Sequence, residues 1–292
     1  MRSFPFVTID VFSAHVLAGN QLAVLTDARG LSNTEMQSLA RETNLSETTF
    51  VFPGEKKVEQ EHGIKVRIFT QVEELPFAGH PTLGTAFVLR GSSAAEKIEL
   101  DLKVGKIPVR FSQRNGALFG EMTQRDPEFG NIHSRDEVAK ALGLKPEDID
   151  ASLPIQTVST GVGFAIVPVR SLATLRGAKV EWRRIAPLLA ASDAKFFYLV
   201  SRETENPAAR LHARMVFSQG EDPATGSAAG CAAAWMVKHG VAKPEEQVLI
   251  EQGLEIKRPS ELFVRASLKD GRVSNVRVGG HAVEVMRGQL SI

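Results

Sequence analysis

Two copies of one pattern stand far apart in the chain: RIFTQVEELPFAGHPTLGTAFVL at residues 67–89 and RMVFSQGEDPATGSAAGCAAAWMV at residues 214–237. In each copy an alternating apolar run, typical of a strand, ends at Phe-Thr-Gln or Phe-Ser-Gln and leads through two adjacent acids and a proline to a glycine turn. The helix that follows has no polar stripe, so it must be enclosed on every side. We therefore predict two related halves.

The fold class that follows is α+β, with each half a mostly antiparallel, barrel-like sheet wrapped around its central apolar helix. A polar segment with Asp-Pro and Gly, QRDPEFG at 124–130, marks the boundary between the halves. The first half is predicted to comprise residues 1–123 together with a C-terminal strand at 281–292. The second half comprises residues 124–280.

Three peripheral segments carry local signals. Ser32 and Glu35 have the spacing of a capping box and predict the start of a helix. The charged segment 55–63, which ends in glycine, is predicted to be a hairpin loop. A helix is expected over 182–191, although Pro187 should break or kink it if it lies beyond the first turn.

Composition limits the classes of partner. The chain has 292 residues, 43% of them hydrophobic, and Lys+Arg 35 balance Asp+Glu 34, so nothing favours a nucleic-acid or membrane partner. A small molecule is the expected ligand. The N-terminal segment lacks the apolar core of a signal peptide, and no run of 18 apolar residues occurs, so we expect a cytoplasmic protein.

The sequence predicts no metal and no cofactor. The single cysteine, Cys231, excludes a disulfide within the chain and a cysteine-rich metal site, and we interpret it as a core residue. The remaining histidines lack metal-ligand spacing. The glycines at 79–84 do not form a dinucleotide fingerprint, and no phosphate-binding lysine loop occurs.

The glycine turns are candidate anion-binding sites. Gly79 and Gly226 each open a helix, where backbone N–H groups without intrahelical acceptors and the positive end of the helix dipole attract anions. Pro81, which has no N–H, suits the first turn of its helix. These positions predict binding of a carboxylate-bearing small molecule.

Several motifs together resemble the PhzF-like family of phenazine biosynthesis over essentially the whole chain. The motifs are NLSET around Glu47, FAGHPTLG at 77–84, EDPATGSAAG at 221–230, VGGHAVEV near the C-terminus and GNQLAVL near the N-terminus. The resemblance implies the diaminopimelate epimerase-like fold, an active site in the cleft between two similar halves, and a homodimer. It also implies an isomerase.

The resemblance assigns roles to particular residues. Glu47 would move a proton, with His80 and Asp222 as further catalytic residues, while Gly79, Gly226 and Ser227 would bind the substrate. The family commonly has glycine before Arg-Pro-Ser, where this chain has Lys257.

Glu47 is the candidate acid and base because the thiols are missing. Thiol-dependent epimerases of this fold have a cysteine just before each helix-opening glycine, whereas this chain has Ala78 and Thr225 there. The segment VSTGV at 158–162, interpreted as the counterpart of the Glu47 strand, carries no carboxylate. Desolvation next to apolar neighbours such as Leu45 would raise the pKa of Glu47 and make it a stronger base.

Other interpretations stay open at this point. Asp222 also suits an N-terminal helix cap, and a serine in the first helical turn, such as Ser227, commonly hydrogen bonds to backbone donors. Glu47 could instead be structural or solvated, and His80 could cap or pack beneath a helix. A serine hydrolase using Ser227, His80 and Asp222 is disfavoured because the G-x-S-x-G elbow is absent. A non-catalytic protein that binds a small acid in the same cleft is the main alternative. The substrate itself is not determined.

Overall fold

The computed structural model describes residues 1–114, 116–218 and 220–292, so Gln219 of the second copy's Phe-Ser-Gln lies outside the described residues. The chain forms two compact units. Unit 1 comprises Met1–Thr123 and Gly279–Ile292, and unit 2 comprises Gln124–Val278.

Unit 1 contains one sheet and three α helices among the described residues. Its elements are β1 (Ser3–Val11), β2 (Asn20–Leu25), α1 (Asn33–Thr43), β3 (Glu47–Phe52), α2 (Lys56–His62), β4 (Ile64–Thr70), β5 (Glu74–Leu75), α3 (Gly79–Arg90), β6 (Lys97–Leu102), β7 (Gly105–Arg114), β8 (Ala117–Thr123) and the C-terminal β19 (Ala282–Ser291). The strand β19 pairs antiparallel with β1, so the chain terminus completes the sheet that the N-terminus begins.

The remaining elements lie in unit 2, apart from Gly279 and Gly280 at the end of the last strand, which belong to unit 1. They are β9 (Glu128–Ile132), α4 (Arg135–Leu142), a 3-10 turn (Pro146–Asp148), β10 (Gln156–Ser159), β11 (Gly163–Pro168), α5 (Leu172–Gly177), α6 (Trp182–Ala190), β12 (Phe196–Ser201), β13 (Ala209–Arg214), β14 (Val216–Phe217), β15 (Gly220–Glu221), α7 (Gly226–Lys238), β16 (Val248–Gln252), β17 (Ser260–Lys269) and β18 (Arg272–Gly280).

The two units repeat one strand topology. In unit 1, β1–β2 is antiparallel, β2–β3 parallel, β3–β4 antiparallel, β4–β6 parallel and β6–β7 antiparallel. In unit 2, the series β10–β11, β11–β12, β12–β13, β13–β16 and β16–β17 has the same alternation. The helix of each quoted copy, α3 or α7, precedes the fifth strand of its series. The duplication in the sequence is therefore a duplication of topology.

Both central helices are enclosed, as their lack of a polar stripe predicts. All residues of α3 from Gly79 to Phe87 are buried, and the helix packs on strands β1, β2, β3, β6 and β8. In α7 every residue from Ala228 to Val237 is buried, including the whole indole of Trp235. An apolar helix surrounded by a sheet loses water from all its faces at once.

A second layer of helices covers the outer face of each sheet. In unit 1, Met36, Leu39 and Ala40 of α1 pack on Phe50 and other core residues of the sheet. The predicted capping box at the start of α1 is confirmed, since the Ser32 hydroxyl accepts the Glu35 N–H and the Glu35 carboxylate accepts the Ser32 N–H. In unit 2, α4, α5 and α6 contribute to one apolar cluster with β11 and β12.

Three local predictions need correction. Residues 55–63 do not form a hairpin loop but the helix α2, which has no buried residue and so shows no apolar stripe. Its Lys, Glu and Gln residues are good helix formers, and Gly63 at φ 92° ends it. The helix predicted over 182–191 forms as α6, but Pro187 does not break it, since α6 continues three residues past this exposed proline. The counterpart of β3 is β12, not the segment 158–162.

Gly84 shows how closely α3 is surrounded. A Cβ atom at this position would lie 2.6 Å from Cγ2 of Val11 and 2.8 Å from Cδ2 of Leu22, both fully buried. Overpacking of this kind costs about 1–3 kcal/mol, while the higher helix propensity of alanine returns up to about 1 kcal/mol. We expect Gly84→Ala to lower the free energy of unfolding by about 1–2 kcal/mol in urea denaturation.

Gly177→Ala is the control for this substitution. Gly177 is also helical, but a Cβ there would meet no atom within 4 Å, so alanine should be neutral or slightly stabilising. If the Gly84→Ala variant is as stable as the Gly177→Ala variant, α3 can accept a Cβ atom at residue 84 and the predicted overpacking does not occur.

Candidate active site

The N-terminal candidate residues meet at the start of β3 and the start of α3. Helix α1 ends at Asn44 in the left-handed conformation, φ 54°, which turns the chain into β3. Glu47 is the first residue of that strand, and its side chain is 16% exposed. Its Oε2 atom lies 3.5 Å from Nε2 of His80 on α3. We refer to Glu47, Gly79 and His80 as the α3 site.

His80 is a neutral imidazole at ordinary pH. Burial lowers its pKa from 6.5 to about 3, although a hydrogen bond with the Gln21 backbone acts in the opposite direction. Nδ1 of His80 lies 3.3 Å from the Asn20 side-chain amide. The contact with Glu47 is therefore one between a carboxyl group and a neutral ring rather than an ion pair.

The first turn of α3 offers backbone donors to a ligand. Its N-cap is Ala78, which makes no side-chain capping hydrogen bond. Gly79 and His80 occupy the first two helical positions, where an N–H has no acceptor within the helix, and Pro81 has no N–H at all. The prediction that Pro81 lies in the first turn is confirmed. The turn has the dipole and donors that stabilise an anion.

The depressed pKa of His80 predicts an acid-sensitive fold. The unfolded chain takes up a proton at this histidine below about pH 6.5, whereas the folded state does so only near pH 3. Stability from this group is therefore present above pH 6.5 and is lost as the pH falls towards 3. Between pH 6.5 and 5 the loss should be on the order of 2 kcal/mol.

The His80→Gln variant isolates this contribution. Glutamine cannot titrate, and the other titratable groups are the same in both proteins. The difference in unfolding free energy between the wild type and the variant should therefore change on the order of 2 kcal/mol between pH 6.5 and 5. Urea denaturation at several pH values between 5 and 7.5 measures it. A difference that does not vary with pH would mean that His80 is not held neutral by the fold.

The C-terminal candidate residues lie at the start of α7. Asp222 is buried, and its N–H donates to the carbonyl of Met215 at 2.9 Å. Gly226 is buried in the first helical position, and Ser227 follows half-buried. The N-cap of the helix is Thr225, not Asp222; the Thr225 hydroxyl donates to Asp222 Oδ2 at 2.6 Å. We refer to Asp222, Thr225, Gly226 and Ser227 as the α7 site.

Each site is preceded by the same ion pair. Arg67 pairs with Glu74 through two hydrogen bonds of 2.7 Å, and Arg214 pairs with Glu221 through bonds of 2.9 and 2.7 Å. Of the two adjacent acids in each copy, Glu74 and Glu221 are thus the equivalent ones. Asp222 has no acidic counterpart in the first copy, which leaves it available for a different role.

Sequence reasoning missed the residue that holds the α7 site. Gln252, at the end of β16, is fully buried and hydrogen bonds to both Asp222 and Thr225. The only signal for it was the dipeptide Gln252-Gly253, a weak addition to the motifs that resemble the PhzF-like family. Lys257, five residues further on, adopts φ 59°, a left-handed conformation that glycine adopts more readily than lysine.

Cys231 belongs to the core of unit 2, as predicted. It is buried on α7 beside Thr160, and desolvation raises the pKa of its thiol to about 11. A thiol in this state is a poor nucleophile and a poor base at neutral pH. The thiol therefore takes no part in the candidate chemistry.

The duplicated units, each with an enclosed helix that begins at a glycine turn, define the diaminopimelate epimerase-like fold class predicted from the sequence. Within that class, the chain belongs to the phenazine biosynthesis-like (PhzF) family, whose sequence pattern matches residues 9–288. This match confirms the resemblance noted from the motifs. Like the named members of this family, the protein is an isomerase.

Three comparisons illustrate the relationship. An uncharacterized isomerase of Mesorhizobium japonicum is 37% identical over 306 residues, which cover 100% of both chains. A trans-2,3-dihydro-3-hydroxyanthranilate isomerase of Pseudomonas chlororaphis is 35% identical over 98% of both chains. The crystal structure of a PhzF-family protein of Bacillus anthracis superposes with a TM-score of 0.91 at 28% identity and covers 100% of both chains.

Across the described residues, no helix combines the length and the apolar character that crossing a membrane would require.

Proposed function

We propose that the protein moves a proton between two carbons of a small carboxylate-bearing substrate without a cofactor, with Glu47 as acid and base. The observation that supports this proposal best is the 3.5 Å approach of Glu47 Oε2 to His80 Nε2 at the first turn of α3. A titratable oxygen, a neutral imidazole and the N–H groups of a helix's first turn lie within one small region. That combination suits proton transfer at a carbon next to a carboxylate.

The roles of the groups follow from their chemistry. Glu47 would remove a proton from one carbon and return it to another, while neutral His80 would orient the carboxyl group or the substrate by a hydrogen bond. The N–H groups of Gly79 and Gly226 would stabilise the substrate carboxylate or a developing enolate-like charge. Asp222 and Ser227 would bind polar groups of the substrate.

The N-caps of the two helices support a carboxylate rather than a thiol mechanism. Ala78 and Thr225 occupy these caps, and neither side chain titrates in the physiological range. A pair of thiol bases is therefore absent from these positions. Among the candidate residues, Glu47 is the group at the α3 site that would accept a proton from one carbon and return it to another.

The first compound to test is trans-2,3-dihydro-3-hydroxyanthranilate, the substrate in the names of relatives at 34–35% identity. It carries a carboxylate and exchangeable carbon-bound hydrogens, as the proposal requires. We also propose a homodimer, as the resemblance to the family implies, and light scattering coupled to size-exclusion chromatography would measure it directly.

Isotope exchange tests the proposed reaction. The protein is incubated with this compound, and in parallel with other cyclic and acyclic amino and hydroxy acids, in deuterated water, and deuterium at carbon is followed by NMR. We expect conversion of at least one compound with deuterium incorporated at the carbon that receives the proton. Tight binding of these acids without conversion or exchange would instead favour the non-catalytic small-acid-binding alternative.

A further inference from the structure

Gln252 holds the turn between Asp222 and Thr225 by three hydrogen bonds. Its Nε2 donates to the carbonyl oxygen of Asp222 at 2.8 Å and to Oγ1 of Thr225 at 3.0 Å. Its Oε1 accepts the backbone N–H of Thr225 at 3.2 Å. The side chain is 0% exposed, so water does not compete for any of these bonds. A single amide therefore fixes both ends of the turn that opens α7.

The direction of each hydrogen in this arrangement is determined. The backbone N–H of Thr225 can only donate and the Asp222 carbonyl can only accept, so the orientation of the Gln252 amide is unambiguous. Because Nε2 donates into Thr225 Oγ1, the hydroxyl hydrogen of Thr225 is directed to Asp222 Oδ2, 2.6 Å away. The amide thus sets the position of the Asp222 carboxylate through the Thr225 hydroxyl.

Tyr198 makes a further hydrogen bond to the oxygen of the Gln252 amide. Its hydroxyl donates to Gln252 Oε1 at 3.0 Å from a fully buried position on β12. Burial raises the pKa of this phenol well above its usual value, and the charge of Asp222 raises it further, so the phenol keeps its proton. The donor chain from Tyr198 through Gln252 and Thr225 to Asp222 is therefore complete at neutral pH.

The backbone next to Gln252 also approaches the turn. Gly253 has φ 81°, and a Cβ there would lie 2.6 Å from the carbonyl oxygen of Pro223 and 2.3 Å from that of Arg258. On the other side, the Glu251 carboxylate accepts a hydrogen bond of 2.7 Å from the buried His212 ring and two more from backbone N–H groups. The end of β16 is thus fixed from both sides and is a rigid support for the turn.

We propose that Gln252 is a positioning residue of the α7 site, which orients Asp222 for substrate through the hydroxyl of Thr225. This inference rests on the proposed function, because it assumes that the α7 site binds substrate. Gln252 does not touch the reacting atoms. Its contribution is to keep the carboxylate and the helix-opening turn in one arrangement, so its loss should weaken substrate binding more than it slows the chemical step.

The test compares Gln252→Met with Gln156→Met. Methionine has a similar length but neither the donors nor the acceptor of glutamine. Gln156 is a matched control because it is also a buried glutamine on a strand of unit 2, but it bonds to Gly130 and to His239 at the other end of α7. With trans-2,3-dihydro-3-hydroxyanthranilate, Gln252→Met should raise KM about tenfold and keep kcat within about threefold, whereas Gln156→Met should change neither.

A second readout does not depend on turnover. Amide hydrogen exchange measured by mass spectrometry should be faster over 222–229 in Gln252→Met than in the wild type or Gln156→Met. Equal exchange in this segment, or a fall in kcat with unchanged KM, would overturn the inference. If the wild type converts no compound, the proposed function fails, while hydrogen exchange still decides whether Gln252 holds the turn.

A pair of substitutions at Thr225 covers the case in which Gln252→Met does not fold. Thr225→Val keeps the shape but removes the hydroxyl between Gln252 and Asp222, whereas Thr225→Ser keeps it. We expect Thr225→Val to raise KM about tenfold and Thr225→Ser to stay within about threefold of the wild type. Equal KM values for the two variants would contradict the donor chain.

Discussion

Replacing Glu47 with glutamine is expected to lower the isomerisation rate by about 10²–10⁴-fold, which is the usual contribution of a positioned acid or base. Glutamine keeps the shape of the side chain at the start of β3 but cannot accept a proton from carbon. The partly buried position of Glu47, in contact with His80, makes a replacement base from solvent inefficient. Single-turnover rates and deuterium incorporation at carbon are the measurements.

Glu73→Gln is the control for this prediction. Glu73 is an exposed acid of unit 1 that none of the proposed roles uses, so its amide variant should convert substrate at the wild-type rate. The Glu47→Gln variant should unfold at a urea concentration close to that of the wild type. If it unfolds normally and still exchanges hydrogen at carbon at the wild-type rate, Glu47 is not the proton carrier.

Replacing Arg214 with methionine is expected to lower the free energy of unfolding by about 3–5 kcal/mol, because it leaves a buried charge without its partner. The side chains of Arg214 and Glu221 are only 9% and 10% exposed. The guanidinium also donates to the carbonyls of Leu175 and Ala178 at 2.7 and 3.0 Å, and these would lose their donor. Urea denaturation monitored by circular dichroism measures the loss.

The equivalent pair in unit 1 provides the comparison. Arg67 and Glu74 are more exposed, at 20% and 15%, and Glu74 also pairs with Lys103 at 2.8 Å. Hydrogen bonds from Arg67 and Lys103 lower the pKa of Glu74 to about 2, so its charge keeps one partner when Arg67 is lost. Arg67→Met should therefore cost only about 1–2 kcal/mol.

A double variant separates the two causes of instability at Arg214. In Arg214→Met with Glu221→Leu the unpaired carboxylate is gone, so part of the lost stability should return, while the carbonyls near the end of α5 still lack a donor. If the double variant is less stable than Arg214→Met alone, the buried charge of Glu221 is not the main cause of the loss.

The enclosed helices were predictable because their signal is local. An apolar segment without a polar face has one physical solution, burial on all sides, whatever the rest of the chain does. The helix α2 was missed for the opposite reason. Its stability comes from helix-forming charged residues and a terminal glycine rather than from packing, so its apolar pattern is absent.

The candidate site was predictable only in part. Glu47 and His80 were both named from motifs, and their proximity at 3.5 Å is a property of the folded unit that neither motif contains. The counterpart of β3 was assigned wrongly because the parallel pairing of β11 with β12 crosses two helices, α5 and α6. No local pattern indicates such a crossover.

The sequence by itself determined that the chain has two related halves and that each contains a buried helix opened by a glycine turn, and its lack of thiols before those turns made Glu47 the candidate base. These conclusions depend on residue types within short segments. Only the tertiary structure decided which acid pairs with each arginine, that His80 is held neutral, and that Gln252 fixes the turn before α7. Desolvation and buried hydrogen bonds between distant segments depend on which atoms meet, and that is settled when the strands and helices pack.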